Sequence, residues 1–402
     1  MDIQVASRIE RLPPYVLGRL KQMIYDRRKA GADVIDMNMG NPTDAPPDPV
    51  VDKIREAVID PRNSRYSVSA GVYNLRREMA IKYERKWGVE LDPDTEVIAT
   101  IGSKEGFSHM CLALLGPGDT AVVADPAFQI HTYAVILAGA STVSVPLGND
   151  DAFLDRIDHT LDTLTPQPKC IILCYPHNPT AITVEPAFFQ RVVDIAAKHR
   201  VMVLHDFAYG ETCFDGYKAP SYLAANGSKA YGVEFTTLSK PYNMAGWRIG
   251  FCCGNAQMIK ALATVKGYYD YGIFQAVQIA AIIAMREGDA HIEKQAEKYA
   301  CRREVLVAGL TDKLGWQVDK PRASMFVWAK VPANHLEPFG GRVNDFCLAM
   351  VEQADVALTP GAAFGPRGEG YVRMALVENE QRIRQALRQL GKVLNVPATA
   401  MG

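Results

Sequence analysis

Six short blocks of this chain combine reactive residue types with positions that would hold them still. Lys240 lies in T-L-S-K-P-Y-N-M-A-G-W-R (237–248), after an apolar run and eight positions before Arg248. A lysine at a strand end is rigid, and desolvation lowers its pKa. Its free amine can then form an imine with a carbonyl group. Thr237, Ser239 and Arg248 add hydroxyls and a guanidinium suited to a phosphate. Asp206 ends V-M-V-L-H-D, where its carboxylate can pair with a protonated ring nitrogen. Tyr209, three residues on, can bond a neighbouring phenolic oxygen. Asn178, in Y-P-H-N-P-T (175–180), can project its amide from another strand end. I-G-S-K-E-G (101–106) joins a strand to a helix, and its free N–H groups and Ser103 hydroxyl can take up a phosphate. Phe128, in D-P-A-F, can stack on a flat ring. Arg373 sits inside the apolar run V-R-M-A-L, where a substrate carboxylate would be a good bidentate partner.

Each block alone has a plainer reading: a solvated lysine, a helix-capping aspartate, an Asn-Pro turn, an empty strand–helix junction, a core phenylalanine, an internal arginine–carboxylate pair. Together they depend on the elements that place them. From about residue 95, apolar runs alternate with amphipathic stretches. The runs are 96–102, 120–126, 141–147, 169–176, 201–206, 235–239 and 249–254. Several are continuous and β-branched, as strands covered on both faces would be. Helical stretches such as 104–115 and 187–199 lie between them. This alternation predicts an α/β fold with a mostly parallel sheet, whose ligands sit at the carboxyl ends of the strands. Five of the six blocks fall at such ends. An arm precedes this region, with a charged helical stretch near 17–30, a short strand V-I-D-M-N-M-G and a turn-rich 41–49. After 255 the chain reads as helical to about 315, and 292–315 is long enough to link two domains. Strand-like runs at 324–331, 356–361 and 371–377 and a helix at 379–394 then suggest a smaller α+β domain. The expected divisions are an arm and small-domain segment (1–45), a large domain (46–290), a connecting helix (291–315) and a C-terminal small domain (316–402).

Bulk properties narrow the partners. The 402 residues carry 44 basic and 45 acidic side chains, a formal net charge of −1. No basic excess points to nucleic acid. No apolar stretch is long enough to span a bilayer, and the N-terminus lacks a signal-peptide layout. Eight cysteines without a C-x-x-C pair read as core thiols in a reducing cytoplasm. The eight histidines show no metal-ligand spacing, so no metal is expected.

In this order the blocks resemble the class I aminotransferases of pyridoxal-phosphate fold type I, over nearly the whole chain from R-L-P-P-Y to the last helix. The resemblance implies a large domain with a mostly parallel seven-stranded sheet flanked by helices, and a smaller α+β domain built from the arm and the C-terminal part. It implies pyridoxal 5′-phosphate as cofactor, with Lys240 as the Schiff-base lysine and the carrier of the proton between substrate Cα and the cofactor. Asp206 would pair with the pyridine nitrogen. Tyr209 and Asn178 would contact the phenolic oxygen, and Phe128 would stack on the ring. Ser103, the backbone of Lys104, Ser239 and Arg248 would hold the phosphate, assisted by Thr237. Tyr66, in R-Y-S-V-S-A-G, matches a tyrosine that reaches the phosphate of the neighbouring subunit, which implies a homodimer with composite sites. Arg373, Asn178 and the backbone of Gly40 would hold the substrate carboxylate. One departure is Ala181, where many members have glycine after N-P-T; a negative φ is expected there.

Transamination between an amino acid and a 2-oxo acid by a ping-pong route would follow. The bacterial alanine transaminases of glutamate–pyruvate type are the most similar subgroup, through M-G-N-P (39–42), H-D-F-A-Y (205–209) and A-S-M-F-V-W-A-K (323–330). Tyr15 is placed either near the substrate side chain or in arm packing. LL-diaminopimelate aminotransferase is the runner-up, and a broad methionine or aromatic aminotransferase the third reading. A C–S lyase would share nearly every cofactor residue. An aminotransferase-like sensor would carry an added DNA-binding domain, for which the early start of the resemblance leaves no room.

Overall fold

Covered on both faces, the apolar runs of the middle of the chain become strands. The computed structural model describes residues 3–13 and 16–396. Its strands are β1 (Ile35–Asp36), β2 (Val97–Thr100), β3 (Thr120–Asp125), β4 (Ser141–Pro146), β5 (Cys170–Cys174), β6 (Met202–Asp206), β7 (Gly232–Thr237), β8 (Gly250–Gly254), β9 (Gln317–Val318), β10 (Phe326–Lys330), β11 (Val356–Ala357), β12 (Thr359–Pro360) and β13 (Tyr371–Ala375). Seven of them form the large sheet, in the order β2-β8-β7-β6-β5-β3-β4. β8 runs antiparallel to both its neighbours, and the other pairs are parallel. The expected mostly parallel α/β architecture is therefore present.

Side chains alternate across this sheet with the period of two that a pleated strand imposes. Ile171, Leu173, Val203 and Phe251 join one buried layer with Phe189 and Val192 of the helix Pro186–His199. Cys170, Ile172, Leu204 and Phe235 join the other, with Phe107 of the helix Ser103–Leu114 and Ile130 of the helix Gln129–Leu137. The same alternation sends Asp206 and Thr237 to the second face, and His205 and Glu234 to the first. There Glu234 is wholly buried and fully satisfied. It accepts from Tyr83 Oη and Ser221 Oγ on one oxygen, and on the other from the Tyr222 N–H, all at 2.8 Å, with His205 Nδ1 also 2.8 Å away. His205 Nε2 lies 3.2 Å from both the N and the O of Tyr175. This chain of bonds crosses from β7 through β6 to the end of β5.

The second assembly is smaller. β12-β13-β10-β9 form an antiparallel sheet, and β1 pairs in parallel with β11. Their core unites Met37, Phe326, Val327, Val372 and Met374 with Leu306, Phe346 and Ile383 from the helices Asp289–Ala308, Val343–Ala354 and Glu380–Val393.

Three details depart from expectation. V-I-D-M-N-M-G yields only two strand residues, because its backbone changes partner: the Met37 N–H donates to Ala357 O, while Met37 O accepts from Ala375 N–H. The run 356–361 splits for the same reason, β11 pairing with β1 and β12 with β13. The helix expected over 292–315 spans Asp289–Ala308 and continues as a π-helical turn, Gly309–Lys313.

Ala181 is a correction. Its φ is +60°, not negative. The Ala181 N–H donates to His177 O at 2.9 Å and the His177 N–H to Ile182 O at 3.0 Å, and closing that tight turn forces residue 181 into the left-handed region. A Cβ there costs about 1–2 kcal/mol. Glycine removes that cost but enlarges the unfolded ensemble by roughly 0.4–1 kcal/mol. Ala181→Gly is therefore expected to raise stability, by a few tenths to about 1 kcal/mol, as a higher urea midpoint at unchanged slope. A lower midpoint would count against this account of the turn.

Candidate active site

The carboxyl ends of β5, β6 and β7 deliver Asn178, Asp206 and Lys240 to one place. Asp206 is the last residue of β6. Its Oδ2 lies 3.0 Å from His131 Nε2, and its Oδ1 accepts the Ala208 N–H at 3.2 Å. The sequence reading missed His131. It stands on the helix Gln129–Leu137, whose apolar face packs on the sheet, so a lone histidine there reads as core. Phe128, at the start of that helix, meets the His131 ring edge-on at 5.7 Å. Tyr209 is buried, with its ring 6.0 Å from Lys240 Nζ and 5.5 Å from the Phe326 ring.

Lys240 Nζ donates to Gly40 O at 2.6 Å. Gly40 thus meets the site through its carbonyl, and a Cβ on it would fall 2.5 Å from the Phe326 ring. Burial, reinforced by the charges of Arg373 and Arg248 and opposed by Asp206, lowers the Lys240 pKa to about 8. The amine is therefore available as a base near neutrality.

Around Lys240 a set of donors converges. The helix Ser103–Leu114 starts after Gly102, whose φ is +76°. Its first N–H groups, those of Ser103 and Lys104 included, have no acceptor within the helix. A Cβ at Gly250 would lie 2.6 Å from Ser103 N, so only glycine lets this helix end approach β8 so closely. A Cβ at Gly102 would fall 2.2 Å from Arg248 Nη2, so glycine also keeps room for that guanidinium. Thr237 Oγ1 donates to Ile249 O at 3.1 Å, lies 2.9 Å from Ser239 Oγ and accepts the Ser239 N–H at 3.1 Å. N–H groups, hydroxyls and a guanidinium facing one another suit a phosphate.

Arg373 is buried, and none of the described carboxylates pairs with it, contrary to the ordinary reading of a buried arginine. Nη1 donates to Asn178 Oδ1 at 2.8 Å and Nη2 to Asn38 O at 2.9 Å, while Nε has no acceptor. Phe326 and Phe364 flank the guanidinium at 4.1 and 4.7 Å. Burial lowers its pKa to about 10, and it stays a cation. A dry guanidinium beside Lys240, paired with no described carboxylate, has the chemistry to receive a small carboxylate. Asn38, Thr359, Phe326 and Phe364 were not foreseen as its neighbours.

Two expected residues stand apart. Tyr66 is 87% exposed and packs at 4.9 Å on Tyr271, which is not a member of this cluster. Tyr15 lies outside the described residues.

The sequence pattern of the family described as aminotransferase class I and II matches residues 32–390. The chain is 44% identical over 383 residues to the glutamate-pyruvate aminotransferase AlaC of Escherichia coli strain K12, covering 95% of this chain and 92% of that protein. It is 40% identical over 385 residues to an LL-diaminopimelate aminotransferase of Halothermothrix orenii, covering 96% and 97%. Among solved structures, substrate-bound BacF of Bacillus subtilis superposes with a TM-score of 0.89 at 30% identity over 99% of each chain.

The Lys240 shift has a direct consequence. In the cofactor-free protein, competitive acetylation resolved residue by residue by mass spectrometry should show Lys240 reactivity rising with pH through a midpoint at about 8, since only the neutral amine reacts. A midpoint near the ordinary lysine value of about 10.4 would refute the role given to burial and the two arginines.

Proposed function

This chain belongs to the class I and II aminotransferases, and within that family we propose that it exchanges amino groups between alanine and 2-oxoglutarate. It is a pyridoxal-phosphate-dependent transaminase acting on amino acids and 2-oxo acids. The observation that carries the reading is Arg373, a buried cation without a carboxylate partner among the described residues, next to an amine whose pKa is lowered. The choice of alanine rests on the 44% identity to a glutamate-pyruvate aminotransferase. The 40% identity to an LL-diaminopimelate aminotransferase keeps that reading second.

The residues present fit the cofactor: an amine, an acid, a flat aromatic and a phosphate-sized set of donors surround one space. In this reading Ser103, the Lys104 N–H, Thr237, Ser239 and Arg248 hold the phosphate. Asp206 holds the ring nitrogen, and His131 fixes its carboxylate. Phe128 covers the ring, and Tyr209 and Asn178 meet the phenolic oxygen. Pyridoxal 5′-phosphate, when bound, supplies a carbonyl that condenses with amines and a ring that takes up the electron pair left at Cα.

The protein supplies orientation and proton transfer. Arg373 Nη atoms, with the Asn178 amide and the Gly40 backbone beside them, orient the substrate carboxylate. The flanking phenyl rings of Phe326 and Phe364 exclude water, which strengthens that grip. Lys240 Nζ takes the proton from the substrate Cα. An amine with a pKa of about 8 can both accept and release a proton near neutral pH.

We infer a homodimer from the surface. Tyr66, Tyr268, Tyr269 and Tyr271 are 87, 90, 69 and 66% exposed, a concentration of aromatic area that a second copy would cover. The eight free thiols, mostly buried, fit a reducing cytoplasm. Among the described residues no helix is long and apolar enough to cross a membrane.

Two experiments test this. Offered a panel of amino donors with 2-oxoglutarate, the enzyme should turn over alanine fastest, and preference for diaminopimelate would replace the alanine assignment. For the composite site, subunits carrying Lys240→Ala are mixed with subunits carrying Tyr66→Ala, each weakly active alone. If Tyr66 serves the partner's site, hybrid dimers contain one complete site and activity returns. No recovery in verified hybrids would place Tyr66 in its own subunit's chemistry or outside it.

A further inference from the structure

The turn that carries Ser103 is held from behind by a buried ion pair. Glu105, two residues into the helix Ser103–Leu114, folds its carboxylate back, and Oε2 accepts the Ile101 N–H at 2.8 Å. Oε1 lies 2.5 Å from His109 Nδ1 and 3.2 Å from Lys266 Nζ. Lys266, on the helix Ala256–Tyr269, has a wholly buried side chain. Its other partner is Asp270 Oδ2 at 3.0 Å. Asp270 in turn accepts the Gly272 N–H at 2.9 Å on Oδ1, and its carbonyl accepts Ser69 Oγ at 3.1 Å. One lysine thus joins the turn 101–104 to the segment that bears Tyr66.

A carboxylate in the first turn of a helix favours the helix itself. It opposes a phosphate bound at the same end, because like charges repel in a partly buried place. Burial pushes the Glu105 carboxyl up, and the contacts with His109, Lys266 and the Ile101 N–H outweigh it, so the group stays ionised. Its charge therefore has to be taken up locally, by His109 within the same helix and by Lys266, the wholly buried cation from the helix Ala256–Tyr269. Neither residue reaches the cluster around Lys240.

We propose that Lys266 is a positioning residue for the cofactor phosphate: it neutralises Glu105 and holds it on Ile101, so that the turn 101–104 keeps its N–H groups aimed at the phosphate. This rests on reading that turn as the phosphate site. Without Lys266, Glu105 would keep only His109 and the Ile101 N–H, and its uncompensated charge close behind the phosphate would weigh on the phosphate. The ring, its nitrogen and the Lys240 amine are held by other elements.

The test separates the phosphate from the rest of the cofactor. The full-length protein, freed of cofactor, is titrated with pyridoxal 5′-phosphate and separately with unphosphorylated pyridoxal, following visible absorbance. Lys266→Met should raise the dissociation constant for pyridoxal 5′-phosphate about tenfold or more and change that for pyridoxal less than about twofold. Equal weakening of both, or no weakening of either, overturns the proposal. Adding Glu105→Gln to Lys266→Met removes the uncompensated charge but keeps an acceptor for Ile101, and should recover most of the lost affinity. Absence of recovery also overturns it. If Lys266→Met does not fold, Lys266→Gln is titrated in the same way against the same outcomes. A wild-type protein that binds the two ligands equally would instead sink the reading of the turn as a phosphate site.

Discussion

Glu234 is a carboxylate with no exposed surface, and the site depends on its being there. Such a group is tolerable only when its oxygens are fully engaged, and here four groups engage them. One is His205, which bridges to Tyr175 and so ties β7, β6 and the end of β5 together on the face away from the chemistry. Asp206 follows His205 directly, Asn178 lies three residues after Tyr175, and Lys240 six after Glu234. The polar network therefore fixes the relative heights of the three strand ends that must meet a single small molecule. Parallel strands alone would not do this, because their ladder sets spacing but leaves the turns beyond the ladder free.

On the opposite face the charges are arranged the other way. Arg373 and Lys240 are brought close, with no carboxylate among the described residues paired to Arg373 and with Asp206 only partly offsetting the two arginines at Lys240, and each has its pKa lowered. The fold sustains that arrangement because the Arg373 nitrogens find Asn178 and the Asn38 carbonyl, and because two phenyl rings share its charge. The region on one face is satisfied and rigid, and the region on the other is partly unsatisfied and open to an anion. Strand parity in β6 places His205 on the first face and Asp206 on the second, while Lys240 comes from beyond β7 and Arg373 from β13 of the smaller sheet.

Much of this was legible in the sequence, and the boundary has a physical cause. Strands with both faces buried announce themselves as continuous apolar runs, and polar residues just beyond such runs are conspicuous. That is why Lys240, Asp206 and Asn178 could be named, and Arg373 stood out as a charge inside such a run. Partners are another matter. Asn178 and Arg373 are 195 positions apart, and Asn38 and Arg373 are 335 apart, so nothing local connects them. His131 lies on an apolar helix face, where periodicity argues for core. Lys266 and Glu105, 161 positions apart, each look like a solvated helical charge until the fold encloses them. The φ of Ala181 failed differently: residue preference argued for one region, and two backbone hydrogen bonds imposed the other.

The groups that would run the reaction and those that would choose the substrate meet at Phe364. Its ring lies 4.7 Å from the Arg373 guanidinium, and its carbonyl accepts the Ala127 N–H at 2.8 Å, next to Phe128. It also lines a cleft with Pro13 of the arm and Gln129, whose side-chain amide donates to Ala363 O at 3.0 Å. Among these parts only Phe364 touches Arg373 directly. A change in the arm or in the loop after β12 would thus reach the substrate carboxylate through the position of one ring. The same loop is bonded to Ala127 and Gln129, at the start of the helix that carries His131, so such a change would also bear on the partner of Asp206.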